Sequence, residues 1–231
     1  MSDVEQQIEN AVLPLEEATE KYWPAFRQNI HTLLAWGYAD SLQRVQTNNQ
    51  QEPDITGFIA EAIKKRRNDI NCPDWCERIV VEDDPPIPGG GRTGRSRWRP
   101  DLIFTLIGSG KKPLPEYYFE AKRLRKPYKT SVNEYIGEDG LGCFLSGKYA
   151  PKCVEAGMLG YVQSDNVNSW ITKLHMALEH SRLHMNELLV LSPPCAVHII
   201  DAFSDEWVSQ HNRSVGTPVT IHHILLDYRV P

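Results

Sequence analysis

The chain reads as an α/β protein, a central sheet with helices on both sides, and three observations predict it. Helical apolar spacing runs through the first 45 residues, through Glu52–Arg67, and again over residues 166–189. Between the last two lie short runs rich in aromatic and β-branched residues, bounded by Gly and Pro, as strands are. The two kinds of segment alternate along the chain, which fits helices laid against one sheet.

In chain order, Trp23, Phe26, Ile30, Leu33, Leu34 and Trp36 recur at helical spacing up to about residue 45. Pro14 and Pro24 are expected to break or start segments there. The polar run 46–51 reads as a loop, which divides a helical N-terminal extension (1–50) from a main domain (51–231). In Glu52–Arg67, Pro53 and the early acids suit a helix start and the closing bases suit its end. Ile55, Phe58, Ile59, Ala62 and Ile63 form its apolar face. Residues 76–82 read as a short strand. Residues 83–94 read as loop, because Pro85, Pro86, Pro88 and three consecutive glycines forbid regular structure. Strands are expected at 98–107 and 117–122, joined by a Gly- and Pro-containing turn at 108–115. Residues 133–149 look partly helical. Further strands are expected at 156–162, 197–203 and 219–228.

The chemistry-bearing pattern is Pro100-Asp101, eighteen intervening residues, then Glu120-Ala121-Lys122. Side chains alternate along a strand, so Glu120 and Lys122 share a face. If the two strands are neighbours, Asp101 joins them. Two carboxylates are what a hard divalent cation such as Mg²⁺ takes from a protein, with water and substrate oxygens completing its shell. A lysine beside them can orient or deprotonate a water, or offset charge on a phosphate.

Pro100, Asp101, Glu120 and Lys122 resemble the motif of the PD-(D/E)XK nuclease superfamily, over roughly residues 52–165. The resemblance implies a restriction-endonuclease-like fold, a mixed central sheet flanked by helices. The expected order of helix, three strands, helix and strand is the order of that superfamily's core. It implies Mg²⁺ or Mn²⁺ bound by Asp101 and Glu120, with the Ala121 carbonyl contributing and Lys122 acting on the water. An acid on the first core helix would add a contact, and Glu52 and Glu61 are the candidates. Glu52 is preferred, because Glu61 can pair with the basic helix tail at i,i+4. Gln163 and Tyr149 stand where relatives place phosphate-contacting residues, although core packing is the better reading of Tyr149. The implied activity is metal-dependent hydrolysis of DNA, in a bacterial restriction or anti-phage setting, by a homodimer. Two alternatives stay open. One is a catalytically silent or partner-activated subunit docked on a helicase or ATPase. The other is a nuclease acting on RNA or branched DNA.

Net charge is −5, which is awkward for a nucleic-acid enzyme. Residues 3–20 hold six acids and no base, yet Arg92, Arg95, Arg97 and Arg99 form a run without acids, as do residues 122–129 with five bases. Both basic runs flank the motif, so the field there is expected to be locally positive, and the arginine loop is expected to grip the DNA backbone.

Other patterns carry less. His180 and His184 are four apart on a helix, with His175 before them, but no H-E-x-x-H accompanies them. His222 and His223 are adjacent on a strand and must face opposite ways. Gly89–Gly91 lacks the remainder of a phosphate-loop motif, and no G-x-S-x-G is present. The five cysteines are odd in number, form no C-x-x-C, and read as reduced thiols. No apolar run is long enough to span a membrane, and the first residues lack a signal peptide's pattern, so a cytoplasmic location is the expectation.

Overall fold

The computed structural model describes residues 15–108, 115–184 and 190–230, with side chains described from Tyr22 onward and not over 182–189. Pro14, residues 3–14 and the side chains of 15–20 in the acidic run, most of the 108–115 turn, residues 185–189 and the His184 side chain lie outside the described residues.

Helix α1 (Leu15–Ser41) and helix α2 (Glu52–Arg67) come first, followed by a 3₁₀ turn (Asp74–Arg78) and strand β1 (Ile79–Asp83). Strands β2 (Leu102–Leu106) and β3 (Glu116–Leu124), helices α3 (Tyr128–Ile136) and α4 (Gly142–Leu145), and strand β4 (Glu155–Val162) follow. Helix α5 (Val167–His184) leads to β5 (Val190–Ala196), β6 (Trp207–His211) and β7 (Val219–Asp227). The expected order of helix, three strands, helix and strand is therefore found.

These strands form one seven-stranded mixed sheet, ordered β1-β2-β3-β4-β7-β6-β5. The pairs β3/β4 and β4/β7 are parallel, and the flanking pairs are antiparallel. Helices cover both faces. On one, Phe26, Ile30, Leu33 and Leu34 of α1 and Ile55, Ile59 and Ile63 of α2 pack against Tyr117, Phe119, Ala121, Leu159 and Ile224. On the other, Tyr135 of α3 and Trp170, Leu174 and Leu178 of α5 pack against Tyr118, Leu124, Met158, Val162 and Ile221. Burial on both faces explains why β4 is almost wholly apolar. The stripe of α1 thus shares one core with the sheet and α2.

Several sequence expectations are corrected. Pro24 lies inside α1 without ending it; the packing of the helix from Phe26 onward offsets the lost hydrogen bond. The expected strand 76–82 begins as a 3₁₀ turn, and β1 starts only at Ile79. The expected strand 197–203 is a loop ending in a 3₁₀ turn (Asp201–Phe203), with β5 and β6 on either side of it. Strand β5, which carries Pro193 and Pro194, is not among the expected strands. It is an edge strand with two register shifts, and such places tolerate proline.

Candidate active site

Asp101 directly precedes β2, which pairs antiparallel with β3 in a register of Leu102 opposite Phe119. One step further along the ladder sets Asp101 beside Glu120. The Asp101 side chain is fixed by the backbone, since the Ala121 N–H donates to its Oδ2 at 2.7 Å. Tyr149 secures the approach to it. Its hydroxyl donates to the Arg99 carbonyl at 2.9 Å, and its ring packs edge-on to Phe144.

Glu120 is 6% exposed and shares the face of Tyr118 and Leu124. Its Oε1 accepts from Lys122 Nζ at 2.7 Å, while its buried Oε2 has no hydrogen-bond partner. Lys122 Nζ also donates to the Ala121 carbonyl at 2.6 Å and to Glu52 Oε1 at 3.3 Å. Glu52 Oε2 in turn accepts from the Arg123 backbone N–H at 3.1 Å. Helix α2 therefore presents its first residue to the end of β3, and Glu52 is the helix acid that reaches the site. Glu61 does not: it is exposed and pairs with Arg44 at 2.6 Å, a different partner from the expected basic tail.

The electrostatics follow from two acids and one base sharing a buried volume. Burial pushes the Asp101 carboxyl up to about 6, against the pull of the Lys122 charge and the Ala121 N–H. Burial, then the like charge of Asp101, raise Glu120 well above the ordinary carboxyl range. Burial alone would lower Lys122, but Glu120, Glu52 and Asp101 outweigh it and hold the ammonium well above its usual range. The arrangement holds two carboxyls that resist ionising together and a firmly protonated lysine.

Beside it opens a cleft of about 670 Å³, with Glu52, Lys122 and Arg123 on one side and Glu134, Glu138 and Asp139 on the other. The wall facing the lysine is thus acidic. The arginine loop lies between β1 and β2. Arg99 is held by Asp84 Oδ2 at 2.7 Å, Arg92 lies over the Trp98 ring, and Arg95 is exposed. Arg97 donates to the Gly94 carbonyl at 3.3 Å. Gly89 and Gly90 pack against Trp98, where a side chain on either would meet the indole. Gln163 is buried, and its amide donates to the Gln50 carbonyl at 2.8 Å. It lines a second cleft with Asn48, Asp227 and Arg229 and does not line the one beside Lys122.

The remaining candidates fall elsewhere. His175 packs edge-on to Trp207, and His223 stacks on Trp207 from the opposite face to His222. The five cysteines are unpaired, and among the described residues no helix is long and apolar enough to cross a membrane. Sequence reasoning did not single out His31 or Glu206, which meet His222 in the core on the α1 side. No local pattern joins residues so distant, and only the sheet topology brings them together. Comparison with protein-family models, curated proteins and solved structures finds no match to this chain.

Proposed function

We propose that this chain is a metal-dependent nuclease of restriction-endonuclease-like fold that hydrolyses DNA phosphodiester bonds. The observation that carries the reading is the convergence of Asp101, Glu120, Lys122 and Glu52, of which Lys122 and Glu52 line an open cleft. The residues fit a divalent cation. Two acids that resist ionising together, one with a buried oxygen lacking any donor, gain from a positive charge between them. Asp101 and Glu120 would hold Mg²⁺ or Mn²⁺, which when bound supplies polarisation of the phosphate and an acidified water. The Ala121 carbonyl would be a further ligand through its second lone pair, its first accepting the Lys122 ammonium.

Lys122 enters as a cation. It orients a water and offsets charge on the phosphate oxygens, and its raised pKa argues against a free-base role. Glu52 fixes that ammonium from below and ties α2 to β3. Arg92, Arg95 and Arg97 supply backbone affinity that the acidic cleft wall does not.

The test is cleavage by the purified full chain, with Mg²⁺ or Mn²⁺, of supercoiled, linear, single-stranded and branched DNA and of RNA. Metal-dependent DNA cleavage is expected, and Asp101→Ala and Glu120→Ala should each abolish it while leaving a cooperative melt. Full activity in either variant, with contaminating nuclease excluded, ends the assignment. Cleavage confined to RNA or branched DNA reassigns the substrate. The acidic wall of Glu134, Glu138 and Asp139 favours one second reading, a subunit that needs a helicase or ATPase partner, or a second copy, to hold DNA. Metal binding without cleavage of any substrate would point there.

A further inference from the structure

On the sheet face covered by α1, opposite the face of Glu120, three buried side chains meet from distant parts of the chain. They are His31 on α1, Glu206 just ahead of β6, and His222 on β7, none more than 2% exposed. His31 Nε2 lies 3.0 Å from Glu206 Oε1, and His222 Nδ1 lies 2.6 Å from the same oxygen. The ligand atoms of all three fall within 4.8 Å of one another.

The far side of each ring is already committed. His31 Nδ1 lies 2.8 Å from the Arg27 carbonyl, which only accepts, so that nitrogen carries the hydrogen. His31 Nε2 faces the Glu206 carboxylate at 3.0 Å, so either a proton or a metal ion lies between nitrogen and oxygen. His222 Nε2 lies 3.5 Å from Glu155 Oε2, and Glu155 is held by Arg27 at 2.7 Å. Metal-ligating histidines characteristically give their outer N–H to a backbone carbonyl or a carboxylate; the outer nitrogen of His31 has such a carbonyl, while that of His222 faces a carboxylate at ion-pair distance without a hydrogen bond. A separate observation points the same way. Glu206 Oε2 is buried without a hydrogen-bond partner.

We propose that His31 Nε2, His222 Nδ1 and Glu206 form a structural zinc site, separate from the carboxylate site at Asp101 and Glu120. Two imidazoles and a carboxylate suit a borderline transition ion, and the second oxygen of Glu206 is free to fill the shell. Mg²⁺ and Ca²⁺ prefer all-oxygen shells, so this site and the carboxylate site select different ions. Its role is a staple: His31 and Glu206 are 175 residues apart, and the ion fastens α1 to the strands that close the sheet.

The experiment uses the full chain, free of any histidine tag, purified after growth with added zinc. Metal content, the thermal melt before and after chelation, and the visible spectrum after Co²⁺ replacement are measured. One zinc per chain is expected, with a lower melting temperature once it is stripped and recovery on adding Zn²⁺. Cobalt should show the ligand-field bands of a four-coordinate ion. The Asp101→Ala, Glu120→Ala double variant should keep its zinc, and His31→Gln and His222→Gln should lose it. If those two variants fail to fold, the stoichiometry and cobalt spectrum of the wild type still decide. Wild-type protein that neither carries nor takes up zinc overturns the proposal and leaves a proton-bridged ion cluster. So does zinc that departs with Asp101 and Glu120 or survives loss of both histidines.

Discussion

Lys122 has three acceptors around one ammonium, and its neighbours set what its removal does. Lys122→Ala should leave divalent-metal affinity near normal while lowering single-turnover cleavage by about 10²-fold or more, the scale of removing one electrostatic stabiliser of the transition state. Lys122→Arg should not restore the rate, since a planar fork cannot take a point-like position. Calorimetric metal titration and cleavage on the same variants check this, and loss of both together would mark the lysine as structural. Asp101 gives a pH prediction for the metal-free protein. A carboxyl raised from 3.8 to about 6 on folding contributes stability that is full below 3.8 and is lost as pH rises through 6. Asp101→Asn keeps an acceptor for the Ala121 N–H and removes that loss. In chelator it should therefore melt higher than wild type at pH 8, by about 2–4 °C for each kcal/mol regained, and no higher at pH 3.5. An equal effect at both pH values would dissociate the change from ionisation. Asp101, Glu120 and Lys122 were legible in the sequence because a strand's two-residue period decides which side chains share a face. The orientation of Glu52 was readable only as a preference between two acids on one helix. Its contact with Lys122 depends on how α2 docks, which no spacing encodes.

At the scale of elements, the motif strands were legible because they sit in apolar runs with punctuation on both sides. The edge strand β5 and its neighbour β6 were not. Strand β5 holds Pro193 and Pro194, which are tolerated because only one of its flanks is paired. Packing between elements yields a sharper claim. An added Cβ at Gly157 of β4 would lie 2.1 Å from the Phe119 ring of β3, the residue next to Glu120. Gly157→Ala should cost about 1–3 kcal/mol by chemical denaturation, as overpacking of a full core does. An unchanged midpoint would mean that Phe119 has room to turn. The loop between β1 and β2 makes a different claim, since Arg99 is already paired to Asp84 while Arg92 and Arg95 are exposed. Neutralising Arg92, Arg95 and Arg97 should weaken DNA binding and flatten its log-affinity against log-salt slope by about 0.9 for each phosphate no longer neutralised. Arg99→Ala alone should do much less. An unchanged slope in the triple variant would leave the loop as a solvated connector.

For the whole molecule, the polar run at 46–51 suggests a boundary, and the packing of α1 bears on what that boundary separates. Phe26, Ile30, Leu33 and Leu34 fill the same core as Phe119, Leu159 and Ile224, and Arg27 and His31 meet Glu155 and Glu206 across the sheet face. A chain starting at residue 46 would expose that apolar face and strand the buried Glu206 and the half-buried Glu155, and removing one partner of a buried pair is costly. It should therefore give no cooperative melt, and a folded fragment with a sharp transition would show α1 to be dispensable. A milder variant separates the charge from the apolar stripe. Burial raises the Glu155 carboxyl, yet the neighbouring His222 and Trp23 side chains and the Arg27 charge outweigh it and hold it down at about 2. Such a group contributes stability that is present above its ordinary value of 4.5 and is lost as pH falls toward 2. Arg27→Gln keeps most of the helix packing and weakens that hold. Its melting temperature should fall below wild type at pH 7, and the gap should close as both proteins are titrated from pH 4.5 toward 2. A gap that persists unchanged at low pH would assign the effect to the packing of the arginine stem and not to its charge.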